Sequence, residues 1–72
     1  MPAVNGKEIR DRRRSKGLKL AEFAEQSRVA YKTVANIECR GSQVVSIEVV
    51  HRFATILGTD PEDLLLKTDA AA

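Results

Sequence analysis

The apolar pattern between residues 20 and 38 predicts two short helices separated by a tight turn. The first has a core-facing stripe at positions i, i+3, i+4 and i+7, formed by Leu20, Phe23, Ala24 and Ser27. The second, at about 31–39, repeats that spacing from Val34 and leaves a polar face on its other side. Val29, between them, is an apolar residue that can pack into the corner. This segment is therefore expected to have one buried and one accessible face.

Further helices are predicted on both sides of this corner. Asn5, followed by Glu8, is typical of a cap for a helix over about residues 6–16. Ser46 caps a helix that ends before Gly58, with a core face of Ile47, Val50, Phe53, Ala54 and Leu57. A last helix is expected to begin at Asp60 and Pro61. Residues 1–5 are expected to be a flexible N-terminal arm and residues 67–72 a mobile tail.

The corner has the geometry of a helix-turn-helix, and the chain from about Ile9 to Leu65 resembles the helix-turn-helix domains of the phage repressor and Cro type, also called the xenobiotic-response-element type. Five segments in the family's order support the resemblance: IRDRRRSKGL, AEFAEQ, VAYKTVANIE, SIEVVHRFATILG and DPEDLL. It implies an all-α fold, a compact five-helix bundle over residues 6–66. It also implies a sequence-specific, repressor-like transcriptional regulator, not an enzyme, that places its third helix in the major groove of double-stranded DNA.

Polar residues on and around the third helix are the candidates for DNA contact. Asn36 can pair with adenine, Lys32 with guanine acceptors, and the Tyr31 ring can contact a thymine methyl group. The expected base-reading set is Tyr31, Lys32, Thr33 and Asn36. The expected phosphate-binding set, which fixes register without reading sequence, is Lys19, Arg28, Arg40, Ser42 and Gln43.

The chain departs from the family pattern at four of the positions near this site. Lys19 and Leu20 replace the usual Ser or Thr cap and Gln of the second helix, which leaves backbone N–H groups free to attract phosphate. Ala30 replaces the usual Ser cap of the third helix. Arg28 stands where the family prefers glycine, so a left-handed conformation there would be strained.

Three consecutive arginines, Arg12, Arg13 and Arg14, must have different roles, because successive helical residues point about 100° apart. The resemblance implies that Arg13 forms a structural ion pair with Glu38, with DNA contact as the alternative. Arg14 is expected to be solvated. Arg12 replaces a family leucine, so either its aliphatic stem lies on the core or the first helix packs loosely.

The charge distribution favours nucleic acid as the partner, although the net charge of +2 is small. Residues 7–40 contain ten basic and five acidic side chains, a net charge of +5, whereas the remainder carries −3. A basic half that contains the accessible helix is the footprint that DNA binding requires. A solvated surface with uneven charge is the simpler alternative.

A single short helix reads few base pairs, so a homodimer on a palindromic site is expected. Val44, Val45, Val49 and Ile56 are the candidate dimer contacts, with core burial as the alternative. The second function class is a protein-interaction module or antitoxin core, which would bind a partner such as a toxin or a polymerase subunit through the last two helices.

No cofactor or metal site is predicted. His51 and Cys39 are the only histidine and cysteine and lie in different helices, so they form neither a zinc ligand set nor a nucleophile pair. Cys39 is expected to fill space at the end of the third helix, with a redox role as the alternative. The lone cysteine and the lack of any long apolar run favour a cytoplasmic location without membrane contact.

Overall fold

The computed structural model describes residues 2–66, which form four α-helices, two short strands and one 3₁₀ turn. The helices are α1 (Gly6–Ser15), α2 (Leu20–Ser27), α3 (Tyr31–Arg40) and α4 (Ile47–Leu57). The strands are β1 (Ala3–Asn5) and β2 (Ser42–Val44), and the 3₁₀ turn is Pro61–Leu64. The helix-turn-helix corner is thus formed by α2 and α3.

The predicted caps of α1 and α4 are confirmed. Asn5 Oδ1 accepts a hydrogen bond from the Glu8 N–H at 3.2 Å, and Ser46 Oγ accepts one from the Val49 N–H at 3.3 Å. Gly58 closes α4 in the left-handed conformation, with φ 68°. The side chains of Asn5 and Ser46 accept hydrogen bonds from backbone N–H groups that the start of a helix leaves without an intrahelical partner.

The prediction of an all-α fold is wrong, because residues on both sides of the helical corner form an antiparallel sheet. Ala3, Val4 and Asn5 of β1 pair with Val44, Gln43 and Ser42 of β2, respectively. On its other side β1 meets the chain after the 3₁₀ turn, where the Leu66 N–H donates to the Ala3 carbonyl at 2.8 Å.

The expected flexible arm over residues 1–5 is likewise wrong for Ala3–Asn5. Val4 is completely buried, and the backbone of β1 is hydrogen-bonded on both sides. Burying an apolar side chain and satisfying the backbone groups around it offsets the entropy lost when the terminus is ordered. The predicted tail, residues 67–72, lies outside the described residues.

The expected fifth helix is a single 3₁₀ turn rather than an α-helix. Asp60 makes no side-chain cap there, and Thr59 Oγ1 instead donates to Asp63 Oδ2 at 2.8 Å. Leu65 is already extended, with φ −81° and ψ 144°, and forms a bridge with Val4. The chain leaves the helical conformation because its next residues pair with β1.

The hydrophobic core lies between the helices and beneath β1. Phe23 of α2 and Phe53 of α4 stack at its centre, with ring centroids 4.9 Å apart and planes tilted by 38°. Ile9, Val34 and Leu64 are also fully buried, so α1, α3 and the 3₁₀ turn all contribute to it. The core joins the helix-turn-helix corner to the rest of the domain.

The predicted core face of α4 is confirmed except at Ile47, which is 54% exposed. Ile47 begins the helix at the rim of an open groove, beside Pro61 and Leu65, where none of the elements within residues 2–66 covers it. Val49 and Ile56 instead pack partly against the core from the other edge of the stripe. The buried stripe of α4 is therefore rotated away from its first residue.

Candidate nucleic-acid interface

Helix α3 has one buried side and one accessible side. Val34 and Ile37 are fully buried against the core. At 100° per residue the opposite side is centred on Lys32 and Cys39, both exposed, with half-buried Asn36 beside them. The structure therefore presents a continuous strip of α3 to solvent.

Of the expected base-reading residues, Tyr31 and Lys32 are exposed, whereas Thr33 and Asn36 are half-buried. Tyr31 begins the helix with 56% of its surface exposed. Thr33 points about 100° away from Lys32, toward the side of Ile37, and so lies at the edge of the accessible strip. Lys32 and Asn36 lie one turn apart near its centre.

The strip also contains Cys39, which was expected to fill space inside the protein and is instead exposed. That expectation is wrong because Cys39 follows Lys32 by two helical turns and lies on the same side. The seven-residue spacing from Lys32 could have identified it as an accessible residue.

The start of α2 carries no side-chain cap of its first-turn N–H groups, as the sequence predicts. The Glu22 side chain instead reaches back, and its Oε1 accepts a hydrogen bond from the Lys19 N–H at 2.9 Å. This satisfies the residue before the helix and leaves the first-turn donors accessible. Lys19 is exposed at the positive end of the helix dipole.

Arg28, at the end of α2, adopts the left-handed conformation that the sequence marks as strained, with φ 59° and ψ 34°. Its N–H donates to the Glu25 carbonyl at 3.2 Å, and the next N–H, of Val29, donates to the Ala24 carbonyl at 3.1 Å. These bonds close the corner, and the Arg28 side chain is exposed.

The other expected phosphate-binding residues follow the end of α3. Arg40 and Ser42 are exposed and Gln43 is half-buried. Pairing with β1 fixes Ser42 opposite Asn5 and Gln43 opposite Val4. Lys19 and Arg28, at the two ends of α2, are roughly 13 Å apart along its axis. The five residues thus lie at the two ends of α2, at the end of α3 and in β2 rather than on one element.

Arg13 of α1 and Glu38 of α3 form a bidentate ion pair. Arg13 Nε donates to Glu38 Oε2 at 2.8 Å, and Arg13 Nη2 donates to Oε1 at 2.9 Å. Arg13 Nη1 donates to the Leu18 carbonyl at 2.7 Å. The side chains are only 10% and 7% exposed, and hydrogen bonding to Glu38 raises the pKa of the Arg13 guanidinium. The pair ties α3 to α1 behind the accessible strip.

The neighbouring arginines have other roles. Arg12 Nε donates to Glu8 Oε2 at 2.7 Å within α1, in an ion pair whose side chains are each 37% exposed. Arg14 is exposed. The three consecutive guanidinium groups therefore point in three directions, as the helical geometry requires.

Gly6 brings the start of α1 against the end of α3. Its N–H donates to the Gly41 carbonyl at 2.9 Å, and a Cβ at this position would overlap the Ile37 carbonyl oxygen. Only glycine permits such a close approach of two backbones. Sequence reasoning did not identify this role, since Gly6 was read only as a helix start.

The four candidate dimer contacts differ in exposure. Val45 is only 7% exposed, and its N–H donates to the Pro2 carbonyl at 3.0 Å, so the structure contradicts its assignment to an interface. Val49 and Ile56 pack partly against the core. Only Val44 is widely exposed, at 54%. The structure adds Ile47 and Leu66 as exposed apolar residues.

Residues 2–66 contain neither a candidate metal-binding cluster nor a candidate membrane-spanning helix. No group of three or more His, Cys, Asp or Glu side chains in this part of the chain could hold a metal ion. None of its helices combines the length and the apolar character needed to cross a bilayer.

The comparison with solved structures identifies bacterial regulators as similar proteins. The chain of a SinR–SinI complex aligns with a TM-score of 0.80 and 26% identity over 96% of this chain and 67% of its own. SinR, the Bacillus subtilis master regulator of biofilm formation, solved with DNA, has a TM-score of 0.74 and 28% identity, covering 79% of this chain and 90% of its own. The restriction-modification controller protein C.AhdI from Aeromonas hydrophila has a TM-score of 0.72 and 31% identity, covering 81% and 86%.

No match was found among curated protein sequences. The family profile described as a helix-turn-helix domain matches residues 6–66, which span the whole corner and its supporting helices. The resemblance to repressor-type domains is thereby confirmed, and the similar structures are regulators rather than enzymes. This chain belongs to the helix-turn-helix domain family.

Proposed function

We propose that this protein is a sequence-specific, double-stranded-DNA-binding transcriptional regulator that acts in the cytoplasm and reads the major groove with α3. The observation that supports the proposal is the accessible strip of α3, with Lys32 and Asn36 at its centre and Tyr31 at its start. The Arg13–Glu38 pair and the buried side chains of Val34 and Ile37 hold α3 from behind the strip. The structure solved for SinR with DNA supports the same class of partner.

Asn36 and Lys19 have opposite roles in this proposal. The Asn36 amide offers a donor and an acceptor together, which suits an adenine edge. Lys19 and the uncapped start of α2 offer positive charge and N–H groups, which suit phosphate. Loss of a base contact changes site preference, whereas loss of a phosphate contact changes the response to salt.

The test is titration of Asn36→Ala and Lys19→Ala against a site selected from a random DNA pool and against a scrambled duplex, at several salt concentrations. Asn36→Ala should reduce the binding free energy for the selected site by about 1–3 kcal/mol and remove the base preference at one base pair per half-site. The dependence of its affinity on salt should change little. Lys19→Ala should weaken binding to both duplexes equally. It should also lower the slope of log affinity against log salt concentration by roughly one per subunit. Identical behaviour of the two variants, with site preference intact, would exclude α3 as the reading helix.

We further propose that the protein binds a nearly palindromic site as a homodimer through exposed apolar residues in β2, at the start of α4 and after the 3₁₀ turn. Val44 and Ile47 are each 54% exposed, and Leu66 is 39% exposed. Val44 and Ile47 lie in the segment that follows α3, so a two-fold contact there would couple the positions of two α3 helices on one DNA site. Val49 and Ile56 remain secondary candidates.

Sedimentation of the DNA complex tests the dimer. We expect two chains per selected site for the parent protein and weaker, more concentration-dependent binding for Ile47→Glu, since a charge in an apolar contact is costly. Ile47 is outside the core, so the fold should be retained. One chain per site for the parent protein would refute the dimer.

The same exposed apolar residues favour a second function, a protein-interaction module that binds a partner such as a toxin or a polymerase subunit. A helix-turn-helix relative, SinR, is known in complex with the SinI protein. The salt series separates the two functions, because strong salt dependence follows from counterion release on DNA. Absence of salt-dependent DNA binding would favour the protein-interaction module.

A further inference from the structure

A groove lies beside the accessible strip of α3, between α1 and the start of α2. One rim is formed by Arg10 and Arg14 of α1, and the other by Leu20 and by Ala35 and Cys39 of α3. Arg13 and Glu38 line its floor. Because Cys39 belongs to the strip that contains Lys32, the groove opens on the surface assigned to DNA.

The charge of this groove comes from its rim. The floor carries no net charge, because Arg13 is paired with Glu38 at 2.8 Å. Arg10 and Arg14 are exposed, and neither forms an ion pair with any residue between 2 and 66. They lie one turn apart on the same side of α1. The rim therefore presents two guanidinium groups in a row.

We propose that Arg10 and Arg14 bind the phosphodiester backbone of the same DNA duplex, as an extension of the contact made by Lys19. The inference rests on the proposed function and adds a third helix, α1, to the DNA-binding surface. Leu20, on the facing rim, directly follows Lys19, so a backbone strand that meets the start of α2 also passes this groove. Guanidinium groups suit phosphate because their N–H donors can form two parallel bonds.

The simpler alternative is that both arginines are merely solvated, and the chain offers a control for it. Lys16 is exposed at the C-cap of α1, roughly 120–160° around the helix axis from Arg10 and Arg14. Its Nζ lies near Gly58, at the end of α4. Arg52 of α4 is paired with Glu48 at 3.0 Å. Removing Lys16 and Arg52 thus takes away two positive charges that do not line the groove.

The experiment compares Arg10→Gln/Arg14→Gln with Lys16→Gln/Arg52→Gln on the selected and scrambled duplexes between 50 and 200 mM salt. Glutamine has a helix propensity close to that of arginine and lysine, and thermal unfolding without DNA checks that both variants fold. The groove variant should lose about two units of salt slope per subunit, so its affinity should fall about tenfold less than the parent's for each bound subunit, or about a hundredfold less for a dimer. Its affinity for the selected duplex and its affinity for the scrambled duplex should fall by the same factor.

The control variant should keep most of the parent's slope. Equal slopes for the two variants would overturn the proposal and leave the arginines as solvated residues. Selective weakening on the selected duplex would also overturn it, because the arginines would then read bases. These outcomes differ from failure of the proposed function, in which the parent protein itself shows no salt-dependent binding and Asn36→Ala has no effect.

Discussion

The ion pair between α1 and α3 gives the sharpest prediction about stability. Arg13→Ala removes three hydrogen bonds, two to Glu38 and one to the Leu18 carbonyl. It leaves the Glu38 carboxylate, with only 7% of its side chain exposed, without its partner. Stranding a buried charge in this way costs about 3–5 kcal/mol. A domain of this size has a total stability of roughly 4–11 kcal/mol, so the loss is a large fraction of it.

Thermal and urea unfolding measure this loss. At about 4–8 °C per kcal/mol for a small domain, Arg13→Ala should lower the Tm by at least about 12 °C. Arg14→Ala is the matched control, because Arg14 is the next residue of the same helix and is exposed. Its effect should stay within about 0.5 kcal/mol.

A double-mutant cycle with Glu38→Ala separates the pair from the individual side chains. If the two groups interact as the geometry indicates, the double variant should be less destabilised than the sum of the single variants. Arg13→Lys should rescue only part of the loss, because an ammonium group cannot reproduce the bidentate contact. Equal effects of Arg13→Ala and Arg14→Ala would refute the reasoning.

Three further changes test the elements around the site by thermal unfolding. Val4→Ala should cost about 2 kcal/mol, because Val4 is fully buried; no effect would mean that residues 3–5 are an arm. Gly6→Ala should cost at least about 2 kcal/mol, because its Cβ would overlap the Ile37 carbonyl; a neutral result would contradict that approach. Arg28→Gly should raise stability by up to about 1 kcal/mol while weakening DNA binding; a lower Tm would contradict strain at φ 59°.

The sequence by itself determines α1 to α4, because the information for each helix is local. Caps such as Asn5 and Ser46 act within three residues, and the apolar stripe of each helix repeats every three or four residues. The accessible strip of α3 is predicted in the same way, since burying Val34 and Ile37 exposes Lys32. The left-handed conformation of Arg28 is only one of two possibilities that the family resemblance leaves open, the other being a different turn, and the structure decides for it.

The tertiary structure decides the features that depend on residues far apart in the chain. Three-residue strands are too short to show a period of two, and β1 becomes a strand only because residues 42–44 and Leu65 lie beside it. The same pairing draws the chain out of the 3₁₀ turn and buries Val45. Whether Ile47 or Val49 faces the core depends on the rotation of α4 against its neighbours.

The residues of the candidate site show the same distinction between what local sequence predicts and what tertiary packing decides. Which residues share the accessible side of α3 follows from 100° per residue, so Cys39 could have been placed there from the sequence. The packing of α1 across α3 decides which arginine of α1 is neutralised by Glu38. It also decides which two arginines form the charged rim of the groove. That packing is set by the close approach of Gly6 to Ile37 and by the carboxylate of Glu38, 25 residues from Arg13 along the chain. Local periodicity carries no information about such a partner, because it records only which side of a helix is buried.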